Sequence, residues 1–347
     1  DMDRVLKAQQ KVAEVANEYE MEIVQYGLEA ISQDIENHYL TALEELADVL
    51  FPPGLLEKCR TAGYRRLVIV ADAYLQEVPF AALRPKENEQ RSYLGLPTER
   101  NGFQLMYAPS ASIFGHWAKR ESLSDVASPQ RTALFIDPLG DLSENNPGVT
   151  QVFSGIESYL RAREIEVTRM DGDKATPTAW LTETPACNLV IYFGHSIAGP
   201  EEKEPALLLN DGAGIPAFIT ADTIYRKATR DLFSDNSLFI FGSCSGGFAS
   251  AGMWDSDREL RGLSVAHLYA GCAAVIGASR PLLDSPTLLF LHALMSEIVE
   301  GHDAATCLTK AQKKMAALRN TYAHPHFWGY VGLMGAPDWR FLINRSD

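Results

Sequence analysis

The sequence predicts an α/β fold in which helices cover both faces of a mostly parallel sheet and a helical segment precedes it. Two patterns support this prediction. Short apolar runs alternate with amphipathic stretches through the second half of the chain, whereas residues 3–50 carry helical periodicity throughout. Strands that are separated by helices need right-handed crossovers, and such crossovers place neighbouring strands parallel in one sheet.

The helical segment comes first. Apolar residues recur every three or four positions from Val24 to Val49 and form one stripe on a helix. Pro52, Pro53 and Gly54 then end the helix. We therefore assign residues 1–54 to an N-terminal helical segment. Because the first residue is Asp1 and not methionine, we expect the chain to be a piece of a longer protein.

The middle of the chain contains few apolar runs. Residues 66–71 and 103–108 are typical of buried strands, and a polar stretch without periodicity follows at 119–131. This stretch predicts a domain boundary, so that residues 55–125 form one domain and residues 126–347 form another.

The last domain has the most regular pattern. Its predicted strands are 132–137, 165–169, 188–194, 237–242 and 272–278. Its predicted helices are 148–162, 174–183, 220–228, 258–270, 286–299 and 303–319. In parallel sheets of this kind, reactive groups gather at the carboxyl ends of the strands.

Composition restricts the partners. The formal net charge of −14 argues against direct binding of nucleic acid or of an anionic membrane, since both need a basic protein face. No apolar run approaches the roughly 20 residues of a membrane-spanning helix. The five cysteines are an odd number without close pairs, which favours a reducing, cytoplasmic location. His324 and His326 lack a third metal ligand in the sequence, so we expect neither a metal nor a cofactor.

Two strand exits carry the chemistry of a thiol nucleophile. The predicted strand 188–194 leads to His195, and the predicted strand 237–242 leads to Cys244 among small residues. If these strands are neighbours, the imidazole can take the proton of the thiol and generate the reactive thiolate. Small residues such as Gly242 let a substrate backbone approach, and they leave amide groups free to bind an oxyanion.

Segments along most of the chain carry a family resemblance. In order they are Arg66–Leu83, Tyr107–Ser112, Tyr192–His195, Pro205–Leu209, Gly242–Gly246, Arg261–Leu263, Ala270–Ile276, Ala304–Ala305 with Ala311–Gln312, and Pro325–Gly335 with Trp328. Together they resemble the CHAT family of caspase-like, separase-related domains. The resemblance implies a caspase-like three-layer sandwich. It also implies that residues 55–125 are a degenerate, inactive copy of the protease fold and that residues 126–347 are the active peptidase domain.

The resemblance further implies a cysteine endopeptidase with His195 and Cys244 as its catalytic dyad. Caspases also place the histidine about 50 residues before the cysteine, and here the separation is 49 residues. Many relatives have glycine directly after the histidine, where its amide helps to bind the oxyanion. Ser196 occupies that position here, so we expect the backbone N–H groups of Ser196 and Cys244 to bind the oxyanion.

Substrate preference is predicted from residues near the strand exits. Asp284 lies where separase-like relatives carry an acidic residue, and a carboxylate there favours Arg or Lys before the scissile bond. Asp137 is expected to assist it, and Gly242 to border the substrate. Alternatively, Asp284 belongs to a helix start with Ser285 as the cap and Pro286 in the first turn. Arg280 is a rival that would favour acidic substrates.

Regulation and alternative functions remain open in the sequence. The segment 249–257, which contains Trp254, is predicted to be an activation loop under the control of another domain or an activator protein, for example in a bacterial stress, cell-death or antiviral-defence pathway. The acidic run 201–204 is either a solvated loop or an attractant for basic substrates. Alternative functions are a catalytically silent CHAT scaffold and an α/β-hydrolase-type esterase that uses Cys244, Asp284 and His324.

Overall fold

The computed structural model describes residues 2–71, 75, 77–87, 90–97, 102–117, 130–197, 206–227, 232–243 and 262–341. The strands in these residues are β1 (Arg66–Ile69), β2 (Lys86–Glu87), β3 (Gln90–Arg91), β4 (Gln104–Tyr107), β5 (Arg131–Ile136), β6 (Glu166–Asp171), β7 (Leu189–Phe193), β8 (Ser196–Ile197), β9 (Ala206–Asn210), β10 (Pro216–Thr220), β11 (Leu238–Gly242), β12 (Ala274–Ala278) and β13 (Val331–Gly335).

The helices of the second half include all six predicted ones and one that was not predicted, the short helix Asp141–Asn145. The helices in the described residues are α1 (Met2–Tyr26), α2 (Gln33–Leu50), α3 (Leu55–Thr61), α4 (Ala111–Trp117), α5 (Asp141–Asn145), α6 (Gly148–Arg161), α7 (Pro177–Glu183), α8 (Ala221–Lys227), α9 (Leu263–Tyr269), α10 (Asp284–Ile298) and α11 (Ala304–Ala316). None of the helices in the described ranges is long and apolar enough to cross a membrane.

One large sheet organises the molecule. Its order is β1-β4-β13-β12-β11-β7-β5-β6, and every neighbouring pair is parallel except β12 with β13. The sheet therefore consists of two parallel blocks that run in opposite directions and meet at β12 and β13. The mostly parallel α/β fold predicted from the sequence is confirmed.

The same sheet contains strands from both predicted domains. β1 and β4 come from residues 55–125, and the other six strands come from residues 126–347. The predicted boundary falls in residues 118–129, which lie outside the described part of the chain. The division of the chain into a degenerate half and an active half stays a prediction.

Burial explains why the central strands are so apolar. Every residue of β7, β11 and β12 is buried, because helices cover both faces of the sheet at these positions. The edge strand β6 differs, since its Arg169 forms ion pairs with Glu157 and Asp171. Charged side chains at an edge strand oppose pairing with another chain.

The N-terminal helical segment is a hairpin and not the single helix expected over residues 3–50. Gly27 has a φ of 82° after α1, and Ser32 caps α2 by accepting a hydrogen bond from the Ile35 N–H. The left-handed backbone at Gly27 suits glycine and ends the first helix. The predicted apolar stripe is buried from Ile35 to Leu46, whereas Val24 near the end of α1 is exposed.

A small antiparallel sheet, in the order β10-β9-β8, lies beyond the carboxyl end of β7. The sequence analysis did not predict these strands. β8 has only two residues, which is too short for an alternating pattern to be recognised. The small sheet is nevertheless important for function because β8 begins directly after His195.

Candidate active site

The carboxyl ends of three neighbouring strands form one edge of the large sheet. In the ladder, Phe193 at the end of β7 pairs with Gly242 of β11 on one side and with Ile136 of β5 on the other. His195 therefore leaves the sheet beside the residues that follow β5. Cys244, the predicted nucleophile after β11, lies outside the described residues.

The backbone of His195 is fixed from two directions. Its carbonyl oxygen accepts hydrogen bonds from the Leu208 N–H, at 3.0 Å, and from the Tyr192 hydroxyl. The preceding residue has to be glycine, because a Cβ at Gly194 would lie 2.7 Å from the Tyr192 hydroxyl and 2.8 Å from Pro138 Cδ. This tight turn holds the histidine at the end of β7.

The imidazole of His195 contacts a carboxylate that the sequence analysis missed. His195 Nε2 lies 2.9 Å from Asp141 Oδ2, and the two side chains are 40% and 49% exposed. Asp141 is the first residue of α5 and follows Gly140, whose φ is 82°. The only signal in the sequence was an aspartate shortly after a predicted strand. That signal becomes specific only when β5 is known to lie beside β7.

Asp137 lies in the turn between β5 and α5. It is buried, with a φ of 45°, and its carboxylate accepts hydrogen bonds from the Leu142 N–H at 3.2 Å and from the Ser143 N–H at 2.7 Å. Its own N–H donates to the Phe193 carbonyl at 2.7 Å. Both carboxylate oxygens are therefore used inside the protein. Asp137 therefore binds free N–H groups in the first turn of α5, which follows Gly140. Its predicted role beside the substrate stays a prediction.

Ser196 presents an amide that the small sheet leaves open. Ser196 pairs with Leu207, while the Leu208 N–H donates to the His195 carbonyl. This pattern marks Ser196 as a non-hydrogen-bonded position, whose N–H points away from β9. β8 is the edge strand of its sheet, so no described strand of that sheet lies on the side toward which the Ser196 N–H points.

Gly242 is closely packed. A Cβ at this position would lie 3.0 Å from Leu291 Cδ1 and 3.2 Å from both Phe193 Cδ2 and the Tyr192 carbonyl oxygen. Its predicted role beside the substrate stays a prediction. Ser243, the last described residue before Cys244, is buried.

Asp284 is the first residue of α10 and lies within electrostatic range of the site. Burial raises the pKa of its carboxyl group; His195 opposes this shift, and the charges of Asp141 and Asp137 add to it. The helix cap is Leu283, without a side-chain hydrogen bond, so the expectation that Ser285 caps the helix is wrong. Pro286 does lie in the first turn, where its missing N–H costs no hydrogen bond.

Arg280 is bound to the N-terminal hairpin. Its side chain is 12% exposed, its Nη2 lies 3.2 Å from Glu20 Oε1, and it also donates to Asn17. The guanidinium stands over the Tyr330 ring, 5.5 Å from the centroid. These contacts tie the Arg280 side chain to the N-terminal hairpin and to Tyr330.

His324 and His326 belong to the same buried interface. The His324 ring stacks on Tyr19 with 4.2 Å between centroids, and His326 packs between Tyr19 and Tyr330. Burial lowers the pKa of each to about 3. Two short 3₁₀ turns, Thr321–Ala323 and Pro325–Phe327, lead from here into β13.

The CHAT domain family matches residues 40–336 of the chain. Among curated proteins, none matches significantly.

Solved structures of cysteine proteases share the fold. Separase in the Saccharomyces cerevisiae separase–securin complex superposes with a TM-score of 0.53 at 16% identity, over 78% of this chain and 15% of the separase chain. The Arg-specific cysteine proteinase gingipain R also gives a TM-score of 0.53, at 10% identity, over 90% of this chain and 69% of its own. The complex of Porphyromonas gingivalis RgpB pro- and mature domains gives 0.52, at 10% identity, over 90% of this chain and 71% of its own. At these identities the likeness concerns the fold.

Proposed function

Because this chain belongs to the CHAT domain family and has the caspase-like fold, we propose that it is a cysteine endopeptidase with His195 as the base and Cys244 as the nucleophile. One observation carries the proposal. β7 and β11 are parallel neighbours in which Phe193 pairs with Gly242. His195 follows Phe193 by two residues, and Cys244 follows Gly242 by two residues. The chain therefore leads to both reactive groups from the same level of the sheet.

The proposed reaction uses the groups at this edge. His195 takes the proton of the Cys244 thiol, and the thiolate attacks the carbonyl carbon of the scissile peptide bond. The amide groups of Ser196 and Cys244 bind the resulting oxyanion. The protonated imidazole then donates its proton to the leaving amine, and water hydrolyses the acyl-enzyme with the imidazole as base.

The charge around His195 supports a preference for a basic residue before the scissile bond. Asp284 lies within electrostatic range of His195, and burial keeps it partly out of solvent. A carboxylate in this position attracts an Arg or Lys side chain and repels an acidic one. Gingipain R, which shares the fold, is an Arg-specific cysteine proteinase, and this agrees with the proposal.

Control by another domain or an activator protein is also part of the proposal. The chain spans only 15% of the separase chain it resembles, so the relative carries much additional sequence. Trp254 and the predicted activation loop 249–257 lie outside the described residues, as does the acidic run 201–204. A cytoplasmic protein substrate in a stress, cell-death or antiviral-defence pathway fits this proposal.

The esterase alternative depends on a histidine that is buried. It requires His324 as the base, but His324 is stacked on Tyr19 in a buried interface where burial lowers its pKa to about 3. A histidine held neutral among aromatic rings has no access to a substrate. Covalent labelling of Cys244 distinguishes the peptidase from the catalytically silent scaffold.

Covalent labelling tests the catalytic pair. We expect a peptidyl acyloxymethyl ketone with Arg next to the warhead to modify Cys244 and no other cysteine in the activated protein. His195→Ala abolishes this labelling, because the thiolate is no longer generated. Cys59→Ser leaves it unchanged and is the matched control, since Cys59 is the partly exposed cysteine in the described residues. If Cys244 is not labelled in any activated state, the chain is a scaffold.

A further inference from the structure

We infer that Asp141 is the positioning residue for His195. The Asp141 carboxylate selects the tautomer of the imidazole and the orientation in which the imidazole meets the thiol. The inference rests on the proposed role of His195 as the base. The proposed dyad consists of His195 and Cys244 alone. Asp141 is therefore a further residue that supports the dyad.

The carboxylate favours one tautomer of His195. In a neutral imidazole one ring nitrogen carries the proton and the other is the acceptor. An ionised carboxylate accepts only, so the 2.9 Å contact between Asp141 Oδ2 and His195 Nε2 is satisfied when Nε2 carries the proton. Nδ1 is then the unprotonated nitrogen, and it is the atom that takes the thiol proton. After that transfer, the carboxylate faces an imidazolium and stabilises its charge.

The carboxylate is held in place by the protein before any substrate binds. Asp141 sits in the first turn of α5, and Asp137 bonds the N–H groups of Leu142 and Ser143 in that turn. The Gly140 N–H also donates to the Asp137 carbonyl at 3.0 Å, while the Asp137 N–H donates to Phe193 of β7. One buried residue thus connects the strand that carries His195 to the turn that carries Asp141.

The strain at Asp137 agrees with a functional turn. A φ of 45° is uncommon for a residue other than glycine. Conformations of this kind cluster at active sites, where the surrounding structure fixes them. Here the conformation turns the chain directly from β5 into α5 and places Asp141 beside His195.

The exposure of the pair separates positioning from stability. Both side chains are more than a third exposed, and exposed ion pairs contribute little to the free energy of folding. Removal of the carboxylate should therefore leave the fold stable and change only the state of the imidazole. If the contact were purely structural, removal of the carboxylate would lower the stability of the fold and leave the tautomer of the imidazole unchanged.

Nitrogen-15 NMR of the histidine rings tests the tautomer directly in the resting protein. The signals of His195 are identified by their absence in His195→Ala. We expect the neutral ring to be almost entirely in the Nε2–H form in the wild type, and to contain a substantial Nδ1–H fraction in Asp141→Ala. Glu144→Ala is the matched control, because Glu144 is an exposed carboxylate on the same helix, and its spectrum should match the wild type.

Kinetics supplies the second measurement. We expect Asp141→Ala to lower kcat for an Arg peptide by about 10- to 100-fold, the usual cost of a misplaced catalytic group, with KM within about twofold. Glu144→Ala should keep the wild-type kcat.

The outcomes are separable. An unchanged His195 tautomer in Asp141→Ala overturns the inference, whatever the activity. A changed tautomer in a protein whose Cys244 never reacts supports the positioning contact and overturns the proposed peptidase. A changed tautomer with unchanged kcat overturns the kinetic part of the inference.

Discussion

Asp137 combines a helix cap with a left-handed backbone, and two substitutions separate these properties. Asp137→Ala loses the two hydrogen bonds to α5 and keeps the unfavourable φ, whereas Asp137→Gly loses the bonds but tolerates the φ. We expect Asp137→Gly to be more stable than Asp137→Ala by about 1 kcal/mol, and both to be less stable than the wild type by about 0.5–2 kcal/mol or more. Urea unfolding measures both differences.

Glu164 supplies the control for this prediction. It has a φ of 59° and is exposed at the turn after α6. Glu164→Gly relieves the backbone without the loss of a cap, so it should be more stable than Glu164→Ala by a similar amount. If Asp137→Ala were as stable as the wild type, Asp137 would not be the cap of α5.

Asp284 should make substrate preference depend on pH. Burial raises the pKa of Asp284 above the ordinary aspartate range, so its negative charge is lost at a higher pH than for an exposed aspartate. We expect the ratio of kcat/KM for an Arg peptide to kcat/KM for a Leu peptide to fall as the pH is lowered toward that pKa. At neutral pH, Asp284→Asn should lower the ratio by about fivefold, which corresponds to about 1 kcal/mol.

The ratio cancels the titration of the catalytic pair, because both peptides use it. Glu144→Gln should keep the wild-type ratio at every pH. The folded protein binds a proton at Asp284 more tightly than the unfolded chain does, so the ionised group destabilises the fold above its pKa. Asp284→Asn is therefore expected to be at least as stable as the wild type at pH 7. A wild-type ratio that does not change with pH would exclude Asp284 from the pocket.

At the scale of elements, the α1–α2 hairpin is attached to the sheet by a polar interface. Arg280 follows β12 and pairs with Glu20 of α1, and the Tyr39 hydroxyl of α2 donates to the Tyr330 hydroxyl at 2.9 Å. Burial raises the pKa of Glu20, and the charge and hydrogen bond of Arg280 oppose that shift. Removal of Arg280 would leave a half-buried carboxylate without its cation.

We therefore expect Arg280→Met to lower the free energy of unfolding by about 1–3 kcal/mol, less than for a fully buried pair because Glu20 is partly exposed. The double variant Arg280→Met/Glu20→Gln should recover part of this loss. Lys11→Met is the control: it breaks an exposed pair with Glu45 in the same hairpin and should cost less than about 1 kcal/mol. Equal losses for Lys11→Met and Arg280→Met would contradict the polar interface. Chemical denaturation measures all four proteins.

The hairpin also shows which elements sequence patterns predict well. The apolar periodicity identified helical structure over residues 3–50, but it did not reveal the break at Gly27, since a single glycine is tolerated inside many helices. The buried runs that became β5, β7, β11 and β12 were recognised because both faces of these strands are covered. The two-residue strand β8 had no pattern to recognise.

At the scale of the whole molecule, buried histidines should limit stability in acid. Burial lowers the pKa of His267 to about 4, and that of His324 and His326 to about 3. In the unfolded chain these groups titrate near ~6.5. Between those values the unfolded chain binds more protons, so the free energy of unfolding falls as the pH drops from 6.5.

Three such histidines give a slope of up to about 4 kcal/mol per pH unit. Urea denaturation at a series of pH values between 7 and 5 measures this slope. His324→Phe keeps a ring in the stack on Tyr19 and should reduce the slope by about one proton. His292→Gln is the control at an exposed site and should leave the slope unchanged. A free energy of unfolding that is constant from pH 7 to pH 5 would contradict burial of the neutral rings.

The sequence by itself determined the local elements and the chemical types of the reactive groups. Alternating apolar runs and amphipathic stretches predicted the α/β fold, because burial leaves a periodic record in the chain. They also placed His195 and Cys244 after two separate strands. The tertiary structure decided the order of the strands. That order places Asp141 beside His195, and the fold also directs the Asp137 carboxylate to the first N–H groups of α5. These contacts depend on which strands are neighbours and on long-range packing, and no local pattern encodes either.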